Sequence, residues 1–402
     1  MRNPIPDLLD ELRERCADDD GGEVLRTIPE LAEADTDRFG IGLCTIDGTV
    51  YATGDAEHRF SIQSISKPFA YALALADRGL ETVLEHVGVE PSGDSFNEIS
   101  LERSGRPRNP MINIGAITTH ALVGDEGIGR ERRDQRVQQG LSAFAGRDLE
   151  VDESVFASEQ SEASRNLALA YLVHARDKLD GEPHDAVEGY IRQCALLVDV
   201  RDLAVMAMTL AAGGRNPVTG EQVVPAWVST QVLSVMATCG MYDASGQWMS
   251  TVGIPAKSGV SGGVLGALPG QAGIGAFSPR LDEIGNSVRG VRAFEALSAD
   301  LGLHLMHAPE VASHVLYGVI EPDADGDGLR EVQLQGTMHF AAVEVALREL
   351  GEVPDGESFV LDLSRVASAT AVGRRLLREA VERMREGGRE VRIRDPHGIL
   401  DD

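Results

Sequence analysis

Cysteine is scarce in this 402-residue chain and scattered where it occurs. Cys16, Cys44, Cys194 and Cys239 form no C-x-x-C pair and no cluster with histidine. This excludes a disulfide-stapled scaffold and a Cys/His zinc site, so the four read as reduced thiols. Long apolar runs are lacking too. Charge or glycine interrupts each within roughly ten residues, too soon for a membrane-spanning helix. Basic charge is in deficit: Lys and Arg number 37 against 64 Asp and Glu, a formal net charge of −27. Nucleic acid and anionic membrane both require a basic face, so neither is expected as a partner. The acidity reads as a solvated surface suited to a salty cytoplasm. The N-terminal MRNPIPDLLDELRERCADDDGGE has neither the apolar stretch nor the cleavage site of an export signal, so a cytoplasmic location is expected.

What is present is enough apolar residue, 43%, to build substantial cores. The length predicts about two or three structural units. Residues 5 to 17 have the pattern of an amphipathic helix, followed by a disordered-looking DDDGGE. GIGLCTIDGTVYATGD predicts a hairpin turning at Asp47-Gly48. From about 70 to 245 the patterns are mainly helical. SRNLALAYLVHARDKL is apolar almost all round, which predicts a buried central helix with Ser161 or Ser164 as its cap. SGVSGGVLGALPGQAGIGAFSP predicts a second hairpin at Pro269-Gly270, and NSVRGVRAFEALSADLGL a closing helix. Strands from both ends thus bracket a helical middle. The expected fold is α+β: an antiparallel sheet built from both ends of the first unit, residues 1–307, with an inserted helical lobe. The tail reads β-β-α-β-α-β, a separate small α/β domain over 311–402.

The stretch FSIQSISKPFAYALALADRGL, Phe60 to Leu80, looks like a buried helix with a hydroxyl and an amine near its start. Ser64 and Lys67 lie three apart, so they share a helical face. Serine becomes a nucleophile when a base takes its proton. Lysine can be that base when burial or positive potential lowers its pKa, and a first helical turn supplies such potential. The same turn offers backbone N–H groups to an oxyanion. S-x-x-K alone is a frequent chance pattern, and Ser64 as a cap with Lys67 as a surface amine satisfies it equally. Lys257-Ser258-Gly259, ahead of the second hairpin, and Tyr242 in CGMYD extend the pattern. S-x-x-K, then Tyr, then K-S-G resembles the penicilloyl-serine transferase and β-lactamase fold.

A narrower resemblance rests on IPELAEAD, FSIQSISKPFAYALAL, GVEPSGDSFNEI, RPRNPMINIGAI, SEQSEASRN, GGRNPVTGE, CGMYDASGQW, VGIPAKSGVSGG and GNSVRGV. In this order, from about 28 to 292, they resemble the serine-dependent glutaminases. That resemblance implies hydrolysis of L-glutamine to L-glutamate and ammonia, without metal or organic cofactor. It implies Ser64 as nucleophile, Lys67 as its base and Tyr242 as a proton relay. The backbone N–H groups of Ser64 and Val260 would form the oxyanion hole. Asn113 and Tyr190 would hold the substrate, Glu159 would pair with its α-ammonium and Asn166 would bind its α-carboxylate. A homodimer or homotetramer is expected. Glu159 and Asn166 are seven apart, which on one helix would place both toward one pocket. One departure is Thr27, where the family usually has a tyrosine before I-P-x-L-A.

The tail resembles a STAS domain, carried by LDLSRV and the helix after it. Thr370 and Ala371 stand where switchable members have an Asp-Ser pair, so phosphorylation there is not expected. An unidentified protein partner for this domain is consistent with the resemblance. Asp323, Asp325, Asp327 and Gly328 mimic an EF-hand start, but Leu334 holds the position of the bidentate glutamate, so an acidic turn is expected. Two other readings stay open at this level: a β-lactamase or peptidase using the same serine and lysine, and a non-catalytic interaction protein.

Overall fold

The computed structural model describes residues 5–93, 99–307, 315–320, 329–338, 340–351 and 357–401. Part of the GVEPSGDSFNEI segment and the acidic run at Asp323, Asp325 and Asp327 lie outside them. The chain divides into two compact units, Met1–His307 and Ala308–Asp402.

The strands of the first unit are β1 (Gly40–Thr45), β2 (Val50–Gly54), β3 (Phe60–Ser61), β4 (Leu197–Val198), β5 (Ala256–Ser258), β6 (Gly263–Leu268) and β7 (Ala272–Phe277). Its helices are α1 (Ile5–Ala17), α2 (Pro29–Ala32), α3 (Lys67–His86), α4 (Asn113–Ala121), α5 (Arg130–Ala145), α6 (Glu153–Ser161), α7 (Ser164–His174), α8 (Pro183–Cys194), α9 (Val200–Ala211), α10 (Ala226–Cys239), α11 (Ser245–Thr251) and α12 (Val288–Leu301). The main sheet is antiparallel in the order β2-β1-β7-β6-β5. Both hairpins form at the expected turns, and the sheet draws strands from both sides of the helical middle. Lys257 and Ser258 belong to the short edge strand β5 itself, which pairs with the hairpin they were expected to precede.

The sequence pattern misplaces the central helix. In α7 only Leu169, Ala170 and Val173 are buried, while Tyr171 and Leu172 are 50% and 39% exposed. It is a surface helix with one inward stripe, packed on α4 and α8. The expected cap is also absent: Ala163 precedes α7, and Ser161 donates instead to the Ser158 carbonyl at 2.7 Å, closing α6. The enclosed helix is α9, buried from Asp202 to Ala211. Asp199 and Asp202 form a capping box at its start. Glycines on the sheet let α9 approach: a Cβ on Gly42 would lie 2.4 Å from the Val200 carbonyl oxygen, and one on Gly273 2.2 Å from that of Ala204. The small-residue strands GIGLCT and AGIGAF therefore read as a bed for this helix. The DDDGGE segment is ordered, because Glu23 exchanges backbone bonds with Leu281 and Arg289 Nε donates to the Asp19 carbonyl at 3.0 Å.

The second unit contains β8 (Leu316–Ile320), β9 (Arg330–Met338), α13 (Phe340–Gly351), β10 (Phe359–Ala369), α14 (Ala371–Glu386) and β11 (Val391–Arg394), the expected order. Its sheet runs β11-β10-β9-β8, with β10 parallel to both neighbours and β8 antiparallel at the edge. Leu334, Phe359, Leu361, Leu377 and Val381 belong to its own core. Thr370 caps α14 by accepting from the Gly373 N–H at 3.2 Å. Among the described residues, no helix is long and apolar enough to cross a membrane.

Candidate active site

Phe60 and Ser61 form the short strand β3, so the stretch is not helical from its beginning. Gln63 to Ser66 then form a single 3-10 turn that leads into α3 at Lys67. Gln63 has φ 52°, in the left-handed region that a non-glycine residue enters at an energetic cost. Ser64 follows directly, nearly enclosed. Lys67 is 1% exposed, on an apolar helix whose packing buries its amine. Nζ donates to Asn113 Oδ1 at 2.7 Å and to the Met111 carbonyl at 3.3 Å. Burial pushes its pKa down to about 8. A neutral amine has two N–H donors and one lone pair. With the donors spent on two oxygens, the lone pair of a neutral Lys67 is left to accept a proton.

Asn113 is the hub of the opposite wall. Its Oδ1 also accepts from the Tyr190 hydroxyl at 3.3 Å, and its Nδ2 donates to Asn166 Oδ1 at 3.3 Å. Burial raises the Tyr190 phenol well above its ordinary pKa, so it remains a hydroxyl. Glu159 and Asn166 do not share a helix. Residues 162–163 break the chain between α6 and α7, yet both residues still reach the site. Glu159 Oε1 accepts from Gln63 Nε2 at 2.6 Å. Burial pushes this carboxyl up to about 7, and the nearby Glu30 adds to the shift.

Tyr242 closes the third side. It too is left-handed, with φ 55°. Its hydroxyl donates to the Ser258 carbonyl at 3.3 Å and shares a hydrogen bond with Ser64. Burial raises its pKa against the pull of the Ser64 and Ser258 side chains. Val260 lies in the tight turn between β5 and β6, where the Gly262 N–H meets the Gly259 carbonyl at 3.0 Å. That turn packs on the segment leading to Ser64: a Cβ on Gly259 would lie 3.0 Å from the Ile62 carbonyl oxygen.

Two residues were not assigned a role from sequence. Lys257 is fully buried, with Nζ 4.0 Å from the Tyr242 ring centroid and 2.8 Å from the Ser258 carbonyl. Burial holds its pKa well below the ordinary value, and Lys67 lowers it further. The K-S-G motif contained this signal. Gln63, directly before Ser64, ties this turn to Glu159, and no local pattern announces it. Thr27 is exposed two residues before α2, and Glu30 on that helix accepts from Ser158 Oγ at 2.9 Å. The departure from tyrosine therefore falls beside the helix that carries Glu159.

The family profile Glutaminase matches residues 22–306. A glutaminase of Corynebacterium efficiens is 48% identical over 99% of this chain and 94% of its own length. One of Corynebacterium glutamicum is 47% identical over 99% and 96%. The crystal structure of Mglu superposes with a TM-score of 0.93 at 48% identity, covering both chains fully. A probable glutaminase from Bacillus subtilis, complexed with 6-diazo-5-oxo-L-norleucine, gives 0.67 at 33% identity over 76% of this chain and 98% of its own. With a profile match over most of its length and relatives this similar end to end, the chain belongs to the glutaminase family and is an amidohydrolase.

Proposed function

We propose that the chain hydrolyses L-glutamine through a γ-glutamyl ester on Ser64. The observation that carries this reading is Lys67. It is a buried amine with its pKa lowered to about 8, one turn after a serine that also hydrogen-bonds Tyr242. Lys67 takes the Ser64 proton as Oγ attacks the γ-carboxamide carbon. The N–H groups of Ser64 and Val260 hold the oxyanion. Tyr242 relays a proton to the departing ammonia, and water then cleaves the ester by the reverse path. Lys257, against the Tyr242 ring, tunes that hydroxyl. Glu159 receives the α-ammonium, Asn166 the α-carboxylate, and Asn113 with Tyr190 keeps the substrate in line. The Bacillus subtilis relative's bound molecule, an L-amino acid with an electrophilic carbon in its side chain, fits such a nucleophile.

The reaction needs no metal or organic cofactor in this scheme. The second unit is a STAS-like domain, with a docking or regulatory role toward a protein partner. A cytoplasmic homodimer or homotetramer is the expected setting. The test is ammonia release from a panel of free amino-acid amides and from a chromogenic cephalosporin. Release from glutamine that disappears in Ser64→Ala supports the reading. Cephalosporin cleavage without release from glutamine would replace it with a β-lactam substrate.

A further inference from the structure

Behind the nucleophile turn lies a line of buried polar groups that this chemistry does not use. Ser66 and His120 are fully enclosed, and Gln193 almost so. Ser66 Oγ donates to the Gln63 carbonyl at 2.7 Å. The same oxygen accepts from Gln193 Nε2 at 2.9 Å. Gln193 Oε1 in turn meets His120 Nδ1 at 2.9 Å. An amide oxygen only accepts, so that ring nitrogen carries a proton. His120 Nε2 faces Asp134 Oδ1 at 3.4 Å. The bonded line therefore runs from α4 through α8 and ends on the carbonyl of Gln63, with α5 packed behind its far end. Gln63 is the left-handed residue immediately before Ser64. Its side chain is held separately, donating to Glu159 and, at 3.2 Å, to Ser61 Oγ.

We propose that Ser66, Gln193 and His120 are positioning residues: together they grip the Gln63 carbonyl and hold the left-handed turn that aims the Ser64 hydroxyl. This rests on Ser64 being the nucleophile. Three polar side chains enclosed in apolar surroundings are costly unless each finds a partner. Here Ser66 and Gln193 are bonded on both sides and His120 through Nδ1, and the chain of bonds terminates on the peptide that presents Ser64, whereas His120 Nε2 and Asp134 Oδ1 make no hydrogen bond at the far end. A strained backbone conformation persists where its surroundings over-determine it, and these bonds supply that constraint. The far end is packed as closely as the near one. A Cβ on Gly189 would lie 2.2 Å from His120 Nε2 and 2.4 Å from Asp134 Oδ1. A single methyl there would displace the histidine.

The test uses the full chain carrying Ser66→Ala or Gln193→Met. Each removes one link and changes side-chain volume little. Rates are measured per titrated active site, well below each variant's melting temperature, so that loss of fold does not enter. A nucleophile displaced by about 1 Å loses up to about a hundredfold in rate. Each variant is therefore expected to lose at least about tenfold in kcat, with KM changing far less. The double variant should lose little more than the worse single, because both cut one line. Where Gln193→Met does not fold, Gly189→Ala disturbs the line from its other end and should show the same kcat loss. Wild-type kcat per active site in these variants, whatever their melting temperatures, overturns the positioning role. If Ser64→Ala also retains turnover, the nucleophile assignment itself has failed. If only Ser64→Ala is inactive, the positioning role alone is lost.

Discussion

The first unit encloses two amines, Lys67 and Lys257, neither more than 1% exposed, and burial pushes both below their ordinary pKa. The second unit encloses a carboxylate, Asp362. Burial alone would raise it, but Ser364 and Arg394 hold it below the usual range. Ser364 N–H and Oγ donate to its Oδ1 at 2.8 and 2.5 Å, and Arg394 donates to Oδ2 at 3.1 Å. The contrast separates two uses of buried charge. An ionised group answered by donors from its own sheet secures a fold. An amine answered only by neutral oxygens keeps a lone pair ready for a proton. Perturbed groups of the second kind gather where chemistry is done. In this chain they gather around Ser64.

The largest effect that could break this contrast is at the proposed nucleophile, Ser64. Ser64→Ala should lose on the order of a million-fold in kcat, as removal of an activated nucleophile does elsewhere, while glutamine still binds by calorimetry. Lys67→Arg should be almost as damaging. Arginine keeps the charge but does not deprotonate at working pH, so it cannot serve as base. Substantial turnover by Lys67→Arg would make the residue an electrostatic anchor and erase the distinction between the two units.

Acidity provides the next test. Lys67 must be neutral to act, so kcat should fall as pH drops through about 8. In the proposed role Glu159 must be ionised to receive the α-ammonium, so KM should rise as pH drops through about 7. Both changes lower kcat/KM on the acid side. A kcat that is flat from pH 9 to about 6 would exclude Lys67 as the base.

Smaller effects sharpen the boundary between the units. Thr27→Tyr should lower KM for glutamine by about 1 kcal/mol, the value of one partly solvated hydrogen bond, which is roughly a fivefold change. An unchanged KM in a folded variant would show that the loop before α2 does not reach the substrate. Smallest of all should be removal of the second unit. A chain of residues 1–307 is expected to fold and keep its kcat, since every residue placed in the chemistry precedes that boundary. Light scattering and ammonia release check it together. An insoluble or inactive fragment would show that the two units depend on each other.

Much of this was legible in the sequence for identifiable reasons. The hairpins at Asp47-Gly48 and Pro269-Gly270 carry their own turn chemistry. Ser64 and Lys67 are local neighbours, so their spacing is readable without a fold. The exchange of α7 for α9 as central helix has a physical cause. Both are apolar, but burial was decided by the glycine bed of β1 and β7, distant in sequence. Glu159 and Asn166 were expected two turns apart on one helix and lie on two, because the chain turns at residues 162–163. Lys257 stood in a recognised motif, yet its place against the Tyr242 ring depends on the register of β5 on β6. Gln63, Gln193 and His120 lie far apart along the chain, and only packing shows that they form one line.

The proposed reaction passes through a covalent intermediate on Ser64. The most direct measurement is to mix the full chain with glutamine, quench in acid within the first turnover, and map the modified peptide by mass spectrometry. One γ-glutamyl group should be found on the peptide containing Ser64, absent from Ser64→Ala and decaying as ammonia and glutamate appear. Full turnover of glutamine with no γ-glutamyl group on any residue, or with the group on a different side chain, would contradict the account.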